Sequence, residues 1–459
     1  MTRRLLVVGG GISGLAAAWA ARQRANRVAG GLDVLVLERG GEVGGKARSE
    51  RANGWLVECG PAGFLGGRPE MDRLVEGAGM SSDVVTASPS AAHRFIFTRG
   101  KIREVKPNPV ALVRSGILGV SGAARMLAEP FLPRRTDGAD ESVWDFARRR
   151  LGREAANQLI SPMTLGIFAG DARRLSLESA FPRMAALERD HGSLIRGMIA
   201  RKGKMSSGAL SSFKDGMQSF PRALATRGGF TVRCNAAVAG LSRTDTGWLV
   251  SVAGDSEPIP ADAVILASEP WASAELLRAH SGAAAAALDA IPCPAVAVVG
   301  LGFGPEVLAT LPRGFGVLIA RGEGLRMLGN LWETHIYPSR SPDQHLLIRV
   351  MLGGSVDIDA GSLSASELVA LARAEISRLY SIDATPVFEH ATIWPKAIPQ
   401  YVIGHRERVA AVERALDALP GLDMTGFGLR GIAFADAASD GVRRGERAIE
   451  RLVARPAVI

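Results

Sequence analysis

RLLVVGGGISGLAAAWA, residues 4–20, is the stretch on which the fold turns. Its apolar run is too short for a helix and ends on three glycines, so Arg4 to Val8 reads as a buried strand. Ile12 to Asn26 reads as a helix, with Gly9-Gly10-Gly11-Ile12-Ser13-Gly14 as the turn between them. Glycines at positions 9, 11 and 14 permit a tight turn, close approach of backbone to a pyrophosphate, and close helix–strand packing. The free amides and positive dipole end of the helix then face the phosphates. Working outward, Asp33 to Leu37 is a second strand, apolar after its first residue. It ends on Glu38, whose carboxylate is placed to accept hydrogen bonds from a ribose. Strand, turn, helix and strand make a βαβ unit that binds a dinucleotide.

Composition narrows the rest. A chain of 459 residues fits two or three domains, and 47% hydrophobic with 22% charged residues excludes wholesale disorder. Lys and Arg outnumber Asp and Glu by 55 to 46, which favours an anionic partner. The basic residues are scattered and aromatics are only 5%, so nucleic acid is set aside in favour of an acidic small molecule. Cys59, Cys234 and Cys293 form neither a disulfide framework nor a CxxC site, and point to a reducing, cytoplasmic setting. Arg3-Arg4 before an apolar run suggests an export signal, but the run breaks at Gly9 and no cleavage site follows. No apolar run reaches about 18 residues, so no membrane-spanning helix is expected. The seven histidines show no metal-ligand spacing, and no nucleophile elbow occurs. No metal and no acid–base constellation are expected.

Further along, Val110 to Leu127 and Val143 to Ile160 have helical apolar spacing, separated by the polar linker Pro133 to Glu141. The stretch Val110 to Arg135 mixes apolar residues with Arg114, Arg125, Arg134 and Arg135, which reads as a solvated basic face or, alternatively, a peripheral membrane contact. Arg201 to Asp215 reads as an exposed loop. Strand-like stretches follow at Phe230 to Arg233, Trp248 to Val252 and Ala263 to Ala267. A second sheet is expected from Val296 to Phe303, Arg326 to Leu331 and Leu346 to Leu352. Ser364 and Glu367 form a capping box opening a helix to about Leu379.

Which dinucleotide is bound turns on Gly40-Gly41-Glu42-Val43-Gly44-Gly45-Lys46, a second glycine loop whose cation adds countercharge. A dinucleotide fold with this extra loop resembles the FAD-containing amine oxidase and desaturase superfamily, and Glu58-Cys59-Gly60-Pro61 resembles its next FAD-contacting turn. Near the other end, Gly426 to Ala433 lies between a strand and a helix. A helix N-terminus there faces the flavin edge where negative charge gathers on reduction.

Several stretches resemble one family within that superfamily, the protoporphyrinogen and coproporphyrinogen oxidases. They are Gly166-Ile167-Phe168-Ala169-Gly170-Asp171, Glu188 to Ile195, Phe213 to Met217, and Trp394 with Ile398-Pro399-Gln400-Tyr401. The resemblance implies FAD contacts at Gly9 to Gly14, Glu38, Arg39, Gly45, Lys46, Gly60, Pro61, Ala62, Gly63, Val238, Trp394, Gly431, Ile432 and Ala433. It implies that Arg94 pairs with a substrate carboxylate and that Gly166, Phe315, Leu318 and Met351 line the porphyrinogen pocket. Gly63 stands where the family often has serine, and Ala433 adds a methyl near the flavin.

The expected architecture is α/β: a Rossmann-like FAD-binding domain (1–83, 216–285, 390–459), a mixed-sheet substrate domain (84–106, 286–389) and a helical domain (107–215) that could face a membrane. The expected activity is FAD-dependent oxidation of protoporphyrinogen IX with O2 as acceptor. Coproporphyrinogen III oxidation, an amine oxidase on this scaffold, and a flavin-binding protein without turnover stand as alternatives.

Overall fold

The computed structural model describes residues 2–25, 31–106, 109–201 and 208–454. The opening stretch forms the strand Arg3–Val8 and the helix Ile12–Ala25, and Asn26 lies outside the described residues. Leu5, Leu6 and Val7 are fully buried because this strand is central in a five-stranded sheet and covered on both faces. The order is Thr231–Arg233, Leu32–Leu37, Arg3–Val8, Ala263–Leu266, Leu422–Met424, and every pair is parallel. One sheet thus gathers strands from the beginning, middle and end of the chain. The final helix, Phe434–Ala454, packs along Ile12–Ala25 through Gly441 and Gly445.

A second, mixed sheet has seven strands, in the order Phe388–Trp394, Val296–Phe303, Leu346–Gly353, Gly329–Trp332, Gly316–Ile319, Phe95–Thr98, Lys101–Glu104. One face, carrying Val299, Leu301, Ile348 and Val350, packs on Leu368, Ala372 and Ile376 of the helix Ala365–Tyr380. That helix opens with the expected capping box, Glu367 N donating to Ser364 Oγ at 3.3 Å and Ser364 N to Glu367 Oε2 at 2.8 Å. The opposite face carries Gly300 and Gly302, whose missing side chains make room for Val57 and Trp55 of the hairpin Ser49–Glu58. The strand Phe388–Trp394 crosses the expected domain boundary at 390, because it pairs along the whole of Val296–Gly302.

Two further readings are corrected. The helical stretches are broken: Gly116 (φ +75°) separates Pro109–Arg114 from Val120–Leu127, and Gly152 (φ +95°) ends Val143–Leu151. Residues 153–160 continue as a short α-turn and a π-helical turn. Leu210–Phe213 is a strand rather than loop, pairing with Phe64–Leu65 and Val84–Thr86 and burying Ser212 and Phe213. Four residues rich in serine carry no periodicity of their own, and their neighbours supply the ladder. Residues 202–207 of the expected loop lie outside the described residues.

Candidate functional site: a dinucleotide cradle beside an apolar sheet face

The glycine loop at the start is shaped by close contact. Gly9 (φ +115°) leaves no room for a Cβ, which would stand 2.8 Å from the Ala267 carbonyl oxygen. Gly14 packs on Gly9, where a Cβ would come within 2.0 Å of its carbonyl oxygen. Gly11, between them, meets nothing within 4 Å on its Cβ side, so backbone there is open to a ligand. Glu38 accepts from Gly10 N through Oε2 at 2.7 Å and from Gly40 N through Oε1 at 2.8 Å, joining the two glycine loops. A carboxylate accepts about four hydrogen bonds, so capacity for a ribose hydroxyl remains. Gly44 N donates to Gly10 O at 2.9 Å, and Ala236 N donates to Glu38 O at 2.8 Å, which brings Val238 to the same edge. Arg39 lies exposed there.

Lys46 follows directly and is ion-paired with Glu269, its ammonium 4.6 Å from the centre of the Phe427 ring. Burial pulls the ammonium below its usual range and pushes the Glu269 carboxyl above its own, while each charge opposes the other's shift. Among the described residues Glu269 Oε2 is buried without a hydrogen-bond partner, and Gly428 abuts Pro270 beside it. Four loops therefore converge: 9–11, 44–46, 267–270 and 426–428. Open backbone, a half-buried cation and a carboxylate with spare acceptor capacity fit a dinucleotide.

The turn Gly60-Pro61-Ala62-Gly63 continues this cradle. Gly60 lies against Lys46, where a Cβ would stand 1.9 Å from its carbonyl oxygen. Trp394 Nε1 donates to Cys59 O at 2.7 Å. At the far end Gly431 (φ +61°) turns the chain, and Ala433 O accepts the first helical bond from Ala437 N at 2.9 Å. Ala433 is exposed, so its methyl points into open space. Tyr401 OH donates to Phe427 O, and His405 Nε2 lies 3.0 Å from Leu429 O, fixing this loop from behind.

The substrate candidates lie on the second sheet. Leu318 is in register with Gly329, Gly329 with Met351, and Met351 with Val298, so one row crosses four strands. Trp394 sits on the same face, in register with Val296. Leu318, Met351 and Trp394 stay only half-buried. Gly166, on the helix Ser161–Phe168, rides on this row: a Cβ would meet Leu318 Cδ2 at 2.5 Å. Phe315 lies at the start of Leu318's strand, with the Arg94 guanidinium 5.1 Å from its ring centre. Arg94 is exposed and, among the described residues, has no carboxylate partner.

Not every quoted stretch belongs here. Glu188 to Ile195 serves a buried ion network: Arg150, fully buried, pairs with Glu129 and donates to Gly192 O at 2.9 Å. Glu129 accepts from Leu194 N at 2.9 Å and Ile195 N at 3.1 Å, capping that helix, and these bonds with Arg150 hold its carboxyl below the usual range against the opposing effect of burial. Sequence reasoning missed Arg349, although a lone arginine inside the apolar run Leu346 to Leu352 was a signal.

Fold and cradle define a dinucleotide-binding protein of the doubly wound class. Residues 12–442 match the family model of flavin containing amine oxidoreductases. The rice chloroplastic protoporphyrinogen oxidase is 31% identical, over 93% of this chain and 84% of that protein. The coproporphyrinogen III oxidase of Bacillus subtilis is 27% identical over 96% of both chains. A crystal structure from Exiguobacterium sp. 255-15, provisionally named a protoporphyrinogen oxidase, superposes with a TM-score of 0.85 at 22% identity, covering 98% of this chain and 99% of that one, a likeness of fold. The chain belongs to the flavin containing amine oxidoreductases, in their porphyrinogen oxidase branch, and is an FAD-dependent oxidoreductase.

Proposed function

We propose that the chain oxidises protoporphyrinogen IX to protoporphyrin IX in haem synthesis, passing electrons through FAD to O2. The carrying observation is the half-open apolar row of Leu318, Met351 and Trp394, on the sheet face that also reaches the Gly60–Gly63 turn. Such a wall suits a flat macrocycle, and the Arg94 fork beside Phe315 suits its carboxylate. FAD supplies hydride acceptance from a meso carbon. Leu318 and Met351 hold the ring, Gly166 lets its helix close on Leu318 at the edge of the row, and Arg94 orients the ring. None of these side chains is a base, so the pyrrole proton leaves through the substrate or solvent. Each cycle moves one hydride and one proton, which together convert O2 to H2O2.

A second substrate, coproporphyrinogen III, is favoured by one observation. The Bacillus subtilis enzyme of that name matches over 96% of both chains. Steady-state turnover of both porphyrinogens, followed by porphyrin fluorescence and peroxide release, tests the proposal. Absence of porphyrin formation from either would refute it. The amine oxidase reading needs an aromatic cage with tyrosines at the cleft. Tyr380 OH is instead bound to Asn330, Tyr401 OH to Phe427 O, and Tyr337 OH is buried.

For location, we propose a cytoplasmic protein whose helical segment touches the inner face of the membrane. Val120, Phe131 and Ile199 are 91%, 84% and 68% exposed there. Among the described residues, no helix is long and apolar enough to cross a membrane. Flotation with anionic vesicles, lost on Phe131→Ser, is the expected result.

A further inference from the structure

Arg349 and Met351 are two residues apart on the strand Leu346–Gly353, so both side chains leave the same face of the sheet. Arg349 is only 4% exposed. Its Nη1 donates to the carbonyls of Glu58 at 3.0 Å and Gly60 at 2.7 Å, while Nε faces Glu333 Oε1 at 2.7 Å. One guanidinium thus reaches from the row that faces the substrate to the turn that faces the flavin. The far side of the turn is filled by Tyr337, 2% exposed, whose hydroxyl would stand 2.8 Å from a Cβ on Gly63. Ser211 O would stand 2.5 Å from the same Cβ, which accounts for glycine where the family often has serine.

Balancing Glu333 alone does not call for this arrangement. A lysine would supply the charge from a single point, whereas the planar fork presents Nε to the carboxylate and Nη1 to the two carbonyls from separate, fixed positions. A carbonyl that accepts from a cation is held more firmly than one that accepts from a neutral donor. Hydride transfer is the step that such firmness serves, since a displacement of about 1 Å costs about 10²-fold in rate.

We propose that Arg349 is a positioning residue that couples the porphyrinogen-facing row to the flavin-facing turn, with Glu333 orienting its fork and Tyr337 supporting Gly63. The proposal rests on the placement of FAD against residues 58–63 given above.

The test uses the FAD-loaded full chain and its Arg349→Lys and Arg349→Gln variants. Arg349→Lys keeps a cation opposite Glu333 and loses the fork. It is expected to retain FAD, shift the visible absorption and reduction potential of the bound flavin, and lower kcat about tenfold with KM within about twofold. Arg349→Gln is expected to lose more, so that lysine counts as partial rescue. A lowered Tm with unchanged flavin spectrum, potential and kcat would overturn the proposal. Should Arg349→Lys fail to fold, Tyr337→Phe removes only the hydroxyl behind Gly63. A shift in the spectrum and potential of the bound flavin supports the coupling, and an unchanged spectrum and potential overturns it. Wild-type protein that takes up no FAD would instead refute the placement of the cofactor.

Discussion

A Cβ added to Gly441 in the last helix would stand 2.2 Å from the carbonyl oxygen of Ser13 in the first. One turn on, Gly445 meets Ala17 O in the same way, at 2.1 Å. The two helices therefore touch backbone to backbone. That contact fixes the last helix along the first, and with Phe427 over Lys46 it joins the two ends of the chain where the cofactor site is proposed.

Gly445→Ala should force the helices apart. Overpacking of this kind costs about 1–3 kcal/mol, and FAD retention should weaken with it because the cradle widens. Urea denaturation with and without added FAD measures both effects. Wild-type stability together with wild-type FAD affinity would contradict the packing argument.

Arg94→Ala should raise KM for the porphyrinogen severalfold while FAD stays bound, since the exposed side chain stands beside Phe315 on the second sheet. Steady-state kinetics on the yellow variant gives the answer. An unchanged KM would remove Arg94 from the substrate site.

Glu129→Gln addresses a motif that resembles the family yet lies apart from the cradle. Arg150 is fully buried against this carboxylate and keeps Glu188 as a second partner, so the loss should fall below the about 3–5 kcal/mol of a buried charge left unpaired. Thermal and denaturant unfolding should show the loss while the flavin spectrum of the folded fraction stays as in wild type. A spectral change would place the network closer to the site than its geometry does.

His405 gives the stability an acid limb. Burial lowers its pKa to about 4, from the usual value near 6.5, while its bond to Leu429 O works the other way. Between these values the unfolded chain binds the proton and the folded chain does not, so the contribution is full above about pH 6.5 and is lost as pH falls toward 4. His405→Gln should flatten the stability profile across that window. An equally steep profile in the variant would assign the acid limb to other groups.

How much of this was legible varied with the kind of signal. Gly9 to Gly14, Glu38 and the Ser364–Glu367 box were readable because their chemistry is local: a turn, a helix start, a strand end. Val296–Phe303 was readable to the residue because all eight of its residues are buried. The breaks at Gly116 and Gly152 were hidden by apolar spacing that continues on either side of them. Leu210–Phe213 carries no pattern, since its order comes from strands more than a hundred residues away. Lys46 was readable as a cation at the phosphate loops, but its partner Glu269 lies 223 residues on, in a loop with no motif. The reach of Arg349 to the Gly60 carbonyl likewise exists only in three dimensions.

The most direct measurement is the visible spectrum of the purified protein, recorded without oxygen before and after adding protoporphyrinogen IX and then coproporphyrinogen III. One bound FAD per chain, bleached by at least one porphyrinogen as porphyrin fluorescence rises, is the expected result. Protein that is colourless and cannot be loaded with FAD, or whose flavin neither porphyrinogen bleaches, would contradict it.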